Sequence, residues 1–259
     1  MSVTVLLAPR WENADGLAFV AGLGAFCDAL PAEAAIHRAR NALYRCQALG
    51  ETVVIKRFQV RGNLWKRLTD RVGDGKAVRT YRIAGELRAR GVHTPEPLAA
   101  YERRAGRALV EAWYVCAEQP NAGTVRDLLR VDHPDRLAHI RRFGAWAASV
   151  HDAGVLHRDF NSANVLLVPH GDGTFAHSLV DLNRIRFGPV GPVAGLYNLL
   201  QPGFFVEDEA QALLDGYCPA RREPLGELDR AAYAALAKLH RTHWAVKKAS
   251  RPLRRRVGF

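Results

Sequence analysis

The chain has 259 residues, of which 48% are hydrophobic, an ordinary fraction for a globular protein long enough to bury a sizeable core. Its net charge of +11 points to anionic partners, carrying phosphate or forming a membrane surface. The cysteines Cys27, Cys46, Cys116 and Cys218 are scattered without a C-x-x-C, which argues against a zinc site or a disulfide framework and predicts free thiols in a reducing cytoplasm.

In chain order, the first marked feature is the apolar stretch from Gly16 to Cys27. It is too short and too Gly-rich to span a bilayer. Glu12 and Asp15 precede it and no basic cluster opens the chain, so it lacks a signal-peptide layout. It predicts a helix or turn packed on the first half of the molecule. Ile36 to Ala48 offers a strand-turn-strand with His37, Arg38, Arg40 and Asn41 in it. Thr52-Val53-Val54-Ile55-Lys56-Arg57-Phe58 is a β-branched run, with Lys56 and Arg57 on opposite faces of the strand. A helix follows from about Lys76 to Arg90, and Ala108 to Cys116 reads as a central strand. Pro120-Asn121-Ala122-Gly123 is a loop, after which Thr124 and Asp127 form a capping box. Arg136 to Ala153 has helical spacing at Leu137, Ile140, Phe143, Gly144, Ala147 and Val150. Past Phe187 the sequence predicts helices over 207–215 and 225–250.

Between these elements lies Val155-Leu156-His157-Arg158-Asp159-Phe160-Asn161-Ser162-Ala163-Asn164-Val165-Leu166-Leu167. It matches the H-R-D pattern of protein-kinase catalytic loops, with an Asn five residues after the Asp. Phosphoryl transfer needs a carboxylate beside the attacking hydroxyl and a separate oxygen ligand for magnesium. Asp159 supplies the first and Asn164 the second, with His157 and Arg158 completing the motif. The apolar flanks predict short buried strands that anchor the loop. Downstream, Val180-Asp181-Leu182-Asn183-Arg184 places Asp181 where a kinase has its second metal-binding carboxylate, with Leu182-Asn183 in place of Phe-Gly. Lys56 occupies the position of the strand lysine that holds the ATP phosphates. No G-x-G-x-x-G precedes it. The candidate acid to pair with Lys56 is Glu86, late in its helix, which reads equally as a solvated surface residue.

The sequence from about Tyr44 to Arg186 resembles the lipopolysaccharide kinases, which include the Kdo and heptose kinases of the inner core. The likeness rests on Val53 to Phe58, Asn63-Leu64-Trp65-Lys66-Arg67-Leu68, Lys76 to Arg82, Gly91-Val92-His93-Thr94-Pro95-Glu96-Pro97-Leu98, the catalytic loop and Val180 to Arg184. The resemblance implies an α+β, protein-kinase-like, two-lobed fold. Residues 1–119 would form a small β-rich N-lobe and 120–259 a mainly helical C-lobe. It implies ATP and Mg2+ as cofactors, Asp159 as base, Lys56 on the phosphates, and Asn164 and Asp181 on the metal. Some relatives carry Glu where this chain has Thr80. The implied acceptor is the lipid A–core oligosaccharide, met at the inner face of the inner membrane by a cytoplasmic, peripheral enzyme.

The C-terminal segment fits such a surface. Arg241, Lys247, Lys248, Arg251, Arg254, Arg255 and Arg256 occur there without an acidic residue, interleaved with Trp244, Val246 and Leu253. A solvated helix face is the alternative reading. Nucleic acid attracts the same charges, but no nucleic-acid-binding motif accompanies them and no such partner is expected. Three other readings stand beside the lipopolysaccharide kinase: a small-molecule or protein kinase of the same fold, a pseudokinase binding module, and a nucleic-acid binder resting on charge alone. Retention of Asp159, Asn164 and Asp181 together argues against the pseudokinase.

Overall fold

A computed structural model describes residues 1–38, 41–60, 74–128 and 135–239. The chain divides into two units, Met1–Pro120 and Asn121–Phe259.

The first unit is built on one six-stranded antiparallel sheet. Its strands are β1 (Ser2–Leu7), β2 (Ala35–Arg38), β3 (Asn41–Ala48), β4 (Glu51–Phe58), β5 (Pro97–Ala105) and β6 (Ala108–Ala117), in the order β1-β5-β6-β4-β3-β2. β4 lies between β3 and β6, and alternation along it decides the two faces. Val53 and Ile55 point into a cluster with Tyr44, Trp113 and Val115, covered by α1 (Ala14–Ala21) and α2 (Leu23–Ala29) through Val20, Leu23 and Cys27. The apolar stretch from Gly16 to Cys27 is thus two short helices broken at Gly22. Val54 and Phe58 face the other way, into a cluster with Tyr114, Cys116 and Ala77 and Val78 of α3 (Lys76–Ala89). The β3–β4 hairpin turns at Leu49 and Gly50, both at positive φ (47° and 83°), the geometry of a type I′ turn.

A buried carboxylate fixes the start of α3. Glu102 of β5, 2% exposed, accepts from the backbone N–H groups of Gly75 (3.0 Å), Ala77 (2.9 Å) and Val78 (3.1 Å). It thereby satisfies amides that a helix N-terminus leaves open and places negative charge at the positive end of the dipole. A Cβ at position 75 would collide with that carboxylate, so Gly75 is required there.

The second unit opens with a single helical turn, α4 (Val125–Leu128). Asp127 accepts from the Thr124 amide at 2.8 Å and from its hydroxyl at 2.9 Å, closing the capping box. α5 (Arg136–Asp152) packs on α7 (Glu207–Ala220) at very close range. A Cβ at Gly144 would strike the Leu213 carbonyl, and one at Gly216 the Arg141 carbonyl. α5 buries Ile140, Phe143, Ala147 and Val150 as its spacing predicts, together with His139 and His151. Leu137, assigned to the same face from its spacing, is 44% exposed because it sits in the first turn, outside the buried stripe. The remaining elements are β7 (Val155–His157), β8 (Val165–Pro169), β9 (Phe175–Leu179), β10 (Ile185–Phe187), α6 (Pro192–Asn198) and α8 over 227–239. β7 pairs with β10 and β8 with β9. Phe143, Phe160 and Phe204 form the aromatic centre, with ring centroids 5.7 Å apart for Phe143 and Phe160 and 5.5 Å for Phe143 and Phe204. Arg40, the Trp-containing stretch from Asn63 to Leu68, and the basic segment from Arg241 to Arg256 lie outside the described residues.

Candidate active site

The H-R-D segment spans the end of β7 and the loop before β8, and each apolar neighbour acts as an anchor. Val155 and Val165 are fully buried in the two flanking strands. Phe160, directly after Asp159, is also fully buried, and its amide donates to Gln201 Oε1 at 2.7 Å. Burying such a side chain contributes about 2–3 kcal/mol, so the loop is held by hydrophobic burial next to the residue proposed for chemistry.

His157 is 1% exposed. Its Nδ1 accepts from the Asp159 amide at 3.1 Å, so its Nε2 carries the proton and donates to the Val180 carbonyl at 3.2 Å. Burial is the main cause that holds its pKa below the ordinary histidine value, opposed by that bond to Val180. His157 therefore works as a neutral strut between the Asp159 loop and the Asp181 segment. Both ring nitrogens are taken up by these two bonds. Asn164 makes a second strut: its Nδ2 donates to the Asp159 carbonyl at 2.9 Å, and its own carbonyl accepts from the Val180 amide at 3.0 Å. Tying Nδ2 to the backbone fixes the amide orientation and leaves Oδ1 as the atom suited to a cation. Asp181 follows Val180 in the left-handed region (φ 55°, ψ 53°), at the head of a short 3-10 turn anchored by buried Leu182. Thus Asp159 and Asn164 of one loop and Asp181, some way down the chain, belong to one hydrogen-bonded frame.

The Asp159 carboxylate is held from both sides. Oδ1 accepts from Asn161 Nδ2 at 3.1 Å, and Oδ2 lies 3.5 Å from Arg184 Nη1. Arg158 is exposed, and its amide bonds the Arg184 carbonyl at 3.0 Å. Neither Asn161 nor Arg184 was singled out from the sequence. Arg184 stood in the Asp181 motif, but its contact with Asp159 spans 25 residues of chain and has no local signature.

Behind the loop runs a buried relay. Arg221 Nη1 donates to the Tyr217 hydroxyl at 2.7 Å, and that hydroxyl donates to His151 Nδ1 at 2.7 Å. His151 Nε2 donates to Asn198 Oδ1 at 3.1 Å, and Asn198 Nδ2 to the His157 carbonyl at 3.0 Å. Every group in the line has one consistent donor direction. Burial is the largest cause that lowers the His151 pKa to about 4 and raises that of Tyr217 to about 12, so both stay neutral within the relay.

In the first unit, Lys56 is half-buried on the α3-facing side of β4, directly opposite Tyr114, with its ammonium 5.3 Å from the Phe58 ring centroid. Arg57 projects to the other face, over Trp113 at 4.9 Å. Cys116 lies near Lys56, and burial pushes its thiol up to about 12 despite the opposing pull of the ammonium, so it is no nucleophile. Glu86 lies on the solvent side of α3, and its carboxylate accepts from Arg90 Nε at 2.7 Å, one turn on. Thr80 faces the buried side but donates its hydroxyl to the Lys76 carbonyl at 2.6 Å.

The oxygen donors Asn164 and Asp181 fit magnesium, which takes one or two protein oxygens and completes its shell with phosphate and water. Among the described residues no group of three or more His, Cys, Asp or Glu side chains could hold a metal ion. This donor set is therefore unlike that of zinc or a dedicated calcium cage.

Residues 38–188, more than half of the chain, match the model of the lipopolysaccharide kinase (Kdo/WaaP) family. Comparison with curated proteins gives no match. Among solved structures the chain is similar to one described as WaaP in complex with acyl carrier protein. The identity is 21%, the TM-score 0.57, and the likeness covers 93% of this chain and 98% of that one. At that identity the likeness shows the fold, and the family match carries the activity. With the H-R-D frame in place and the family model spanning it from β2 past β10, the chain belongs to the lipopolysaccharide kinase (Kdo/WaaP) family and is a kinase.

Proposed function

We propose that this kinase transfers the γ-phosphoryl group of ATP to a sugar hydroxyl, of Kdo or heptose, in the lipopolysaccharide inner core. The observation that carries this reading is the shared frame in which His157 and Asn164 tie Asp159 to the Val180–Asp181 segment. Asp159 accepts the proton of the acceptor hydroxyl as its oxygen attacks phosphorus. Asn161 holds the carboxylate in orientation, and the anchored Phe160 keeps the loop from drifting. Lys56 would bind the phosphates, and the end of β6 would lie against the adenine. Asn164 and Asp181 would hold magnesium, which supplies charge neutralisation on the phosphates. The enzyme would meet its lipid-linked acceptor at the inner face of the cell inner membrane, as a peripheral protein. No helix among the described residues is long and apolar enough to cross a membrane.

The test is metal dependence. Asn164→Ala and Asp181→Ala should each raise the magnesium concentration needed for half-maximal ATP turnover by about tenfold or more. An unchanged magnesium requirement in folded Asp181→Ala would remove Asp181 from the metal site.

A further inference from the structure

We propose that Arg158, Arg184 and Arg186 form an anion subsite beside Asp159 that binds a carboxylate or phosphate carried by the acceptor sugar. The argument starts from the β7–β10 ribbon. Its register pairs Ile185 with His157 and Arg186 with Leu156. The bond from the Arg158 amide to the Arg184 carbonyl continues the same ladder by one step. Arg158 therefore stands opposite Arg184, and Arg186 lies two residues further along the same strand. His157 and Ile185 are the buried pair, whereas all three arginines are exposed.

Like charges directly opposite each other on a ribbon are destabilising, so this placement costs stability unless a counter-ion is supplied. Among the described residues, neither Arg158 nor Arg186 has a carboxylate within ion-pair distance, and the carboxylate at Arg184 is Asp159 itself. That pair is loose at 3.5 Å, with the Arg184 side chain 60% exposed. On the far side of the same carboxylate, Arg126 reaches Asn161 Oδ1 at 3.5 Å. The carboxylate thus has the Arg184 guanidinium against it, with Arg158 and Arg186 next to Arg184 on the ribbon and Arg126 on Asn161, and such planar donor forks match carboxylate and phosphate oxygens. An anion arriving with the acceptor draws Arg184 from Asp159 towards itself. This places the acceptor hydroxyl by the base and frees Oδ2 to take the proton. The subsite selects acceptors with a negative group close to the reacting hydroxyl and disfavours neutral sugars. The identification of the anion as part of a core sugar rests on the function proposed above.

Two measurements test this on the full chain. In the first, phenylglyoxal modifies exposed arginines and mass spectrometry reads each site, with millimolar sulfate as the probe and sodium chloride at matched ionic strength as control. Sulfate should protect Arg158, Arg184 and Arg186 and leave the exposed Arg107 and Arg222 reactive. Equal protection by chloride, or none, overturns the subsite whatever the acceptor is. In the second, Arg186→Gln and Arg184→Gln are assayed on lipid A–core acceptors that are intact, stripped of phosphate, or reduced at their sugar carboxylates. The KM for the intact acceptor should rise roughly tenfold, with a much smaller change in the KM for ATP, and Arg186→Lys should recover part of the loss. The modified acceptor that shows the same high KM with wild-type enzyme identifies whether phosphate or carboxylate is recognised. An unchanged acceptor KM in both Gln variants overturns the proposal while the kinase assignment stands. If the wild type phosphorylates none of these acceptors, the core-sugar reading falls, and the sulfate protection alone decides the subsite.

Discussion

His151 shows how one side chain ties stability to the catalytic loop. It is buried and neutral, accepting from Tyr217 and donating to Asn198, which holds the His157 carbonyl. Its pKa is lowered to about 4, chiefly by burial, and that of His177, stacked on Trp146, is lowered to about 4 for the same reason. In the unfolded chain both titrate near the ordinary value of about 6.5. Below that pH the unfolded state takes up protons that the folded state refuses, so stability present above about pH 6.5 is lost as pH falls towards 4. Urea midpoints measured between pH 7 and pH 4.5 should fall, with a limiting slope of about 1.4 kcal/mol per pH unit for each histidine. A flat profile over that window would contradict the buried neutral relay. Nothing in the local sequence around His151 announces this role, because its partners come from 47 and 66 residues away.

The α5–α7 pair depends on two glycines facing backbone. Gly144→Ala would drive a methyl into the Leu213 carbonyl and against the Tyr217 amide. Tyr217 also belongs to the relay, so the strain reaches the catalytic loop. The expected loss is about 1–3 kcal/mol, read as a lower melting temperature, together with reduced turnover. A variant as stable and active as wild type would mean that the helices separate without cost. Most elements were legible in the sequence, since α3, α5, β4, β6 and the loop strands follow from hydrophobic period and flanking turn residues. The acid paired with α3 was not. Glu86 sits in that helix and drew attention by position, yet it is solvent-facing and bound to Arg90. The carboxylate that governs the helix is Glu102, on a strand 25 residues beyond Ala77, and only the sheet register brings it under the helix N-terminus. Asp159, Asn164 and Asp181 could be picked out because the kinase pattern they match has fixed spacing. Arg184 and Asn198 act through contacts with residues 25 and 41 positions away, which no spacing encodes.

For the molecule as a whole, charge is the dominant property. A net charge of +11 favours an anionic surface, and the densest cluster is the segment from Arg241 to Arg256, outside the described residues. Each such residue near an anionic bilayer contributes about 1 kcal/mol, an attraction that salt screens. The protein should co-sediment with anionic vesicles at low salt, be released as salt rises, and ignore neutral vesicles. Replacing Arg254, Arg255 and Arg256 with Ser should weaken the binding. Equal binding to neutral vesicles would favour a solvated basic face instead.

The most direct measurement is mass spectrometry of purified lipid A–core incubated with the enzyme, ATP and magnesium, beside an Asp159→Ala control. The account predicts a gain of one phosphate on an inner-core sugar with the wild type, and turnover lower by about a hundredfold or more in the variant, which still binds ATP. Unmodified lipid A–core with folded, ATP-binding wild-type enzyme, or equal phosphorylation by Asp159→Ala, would contradict it.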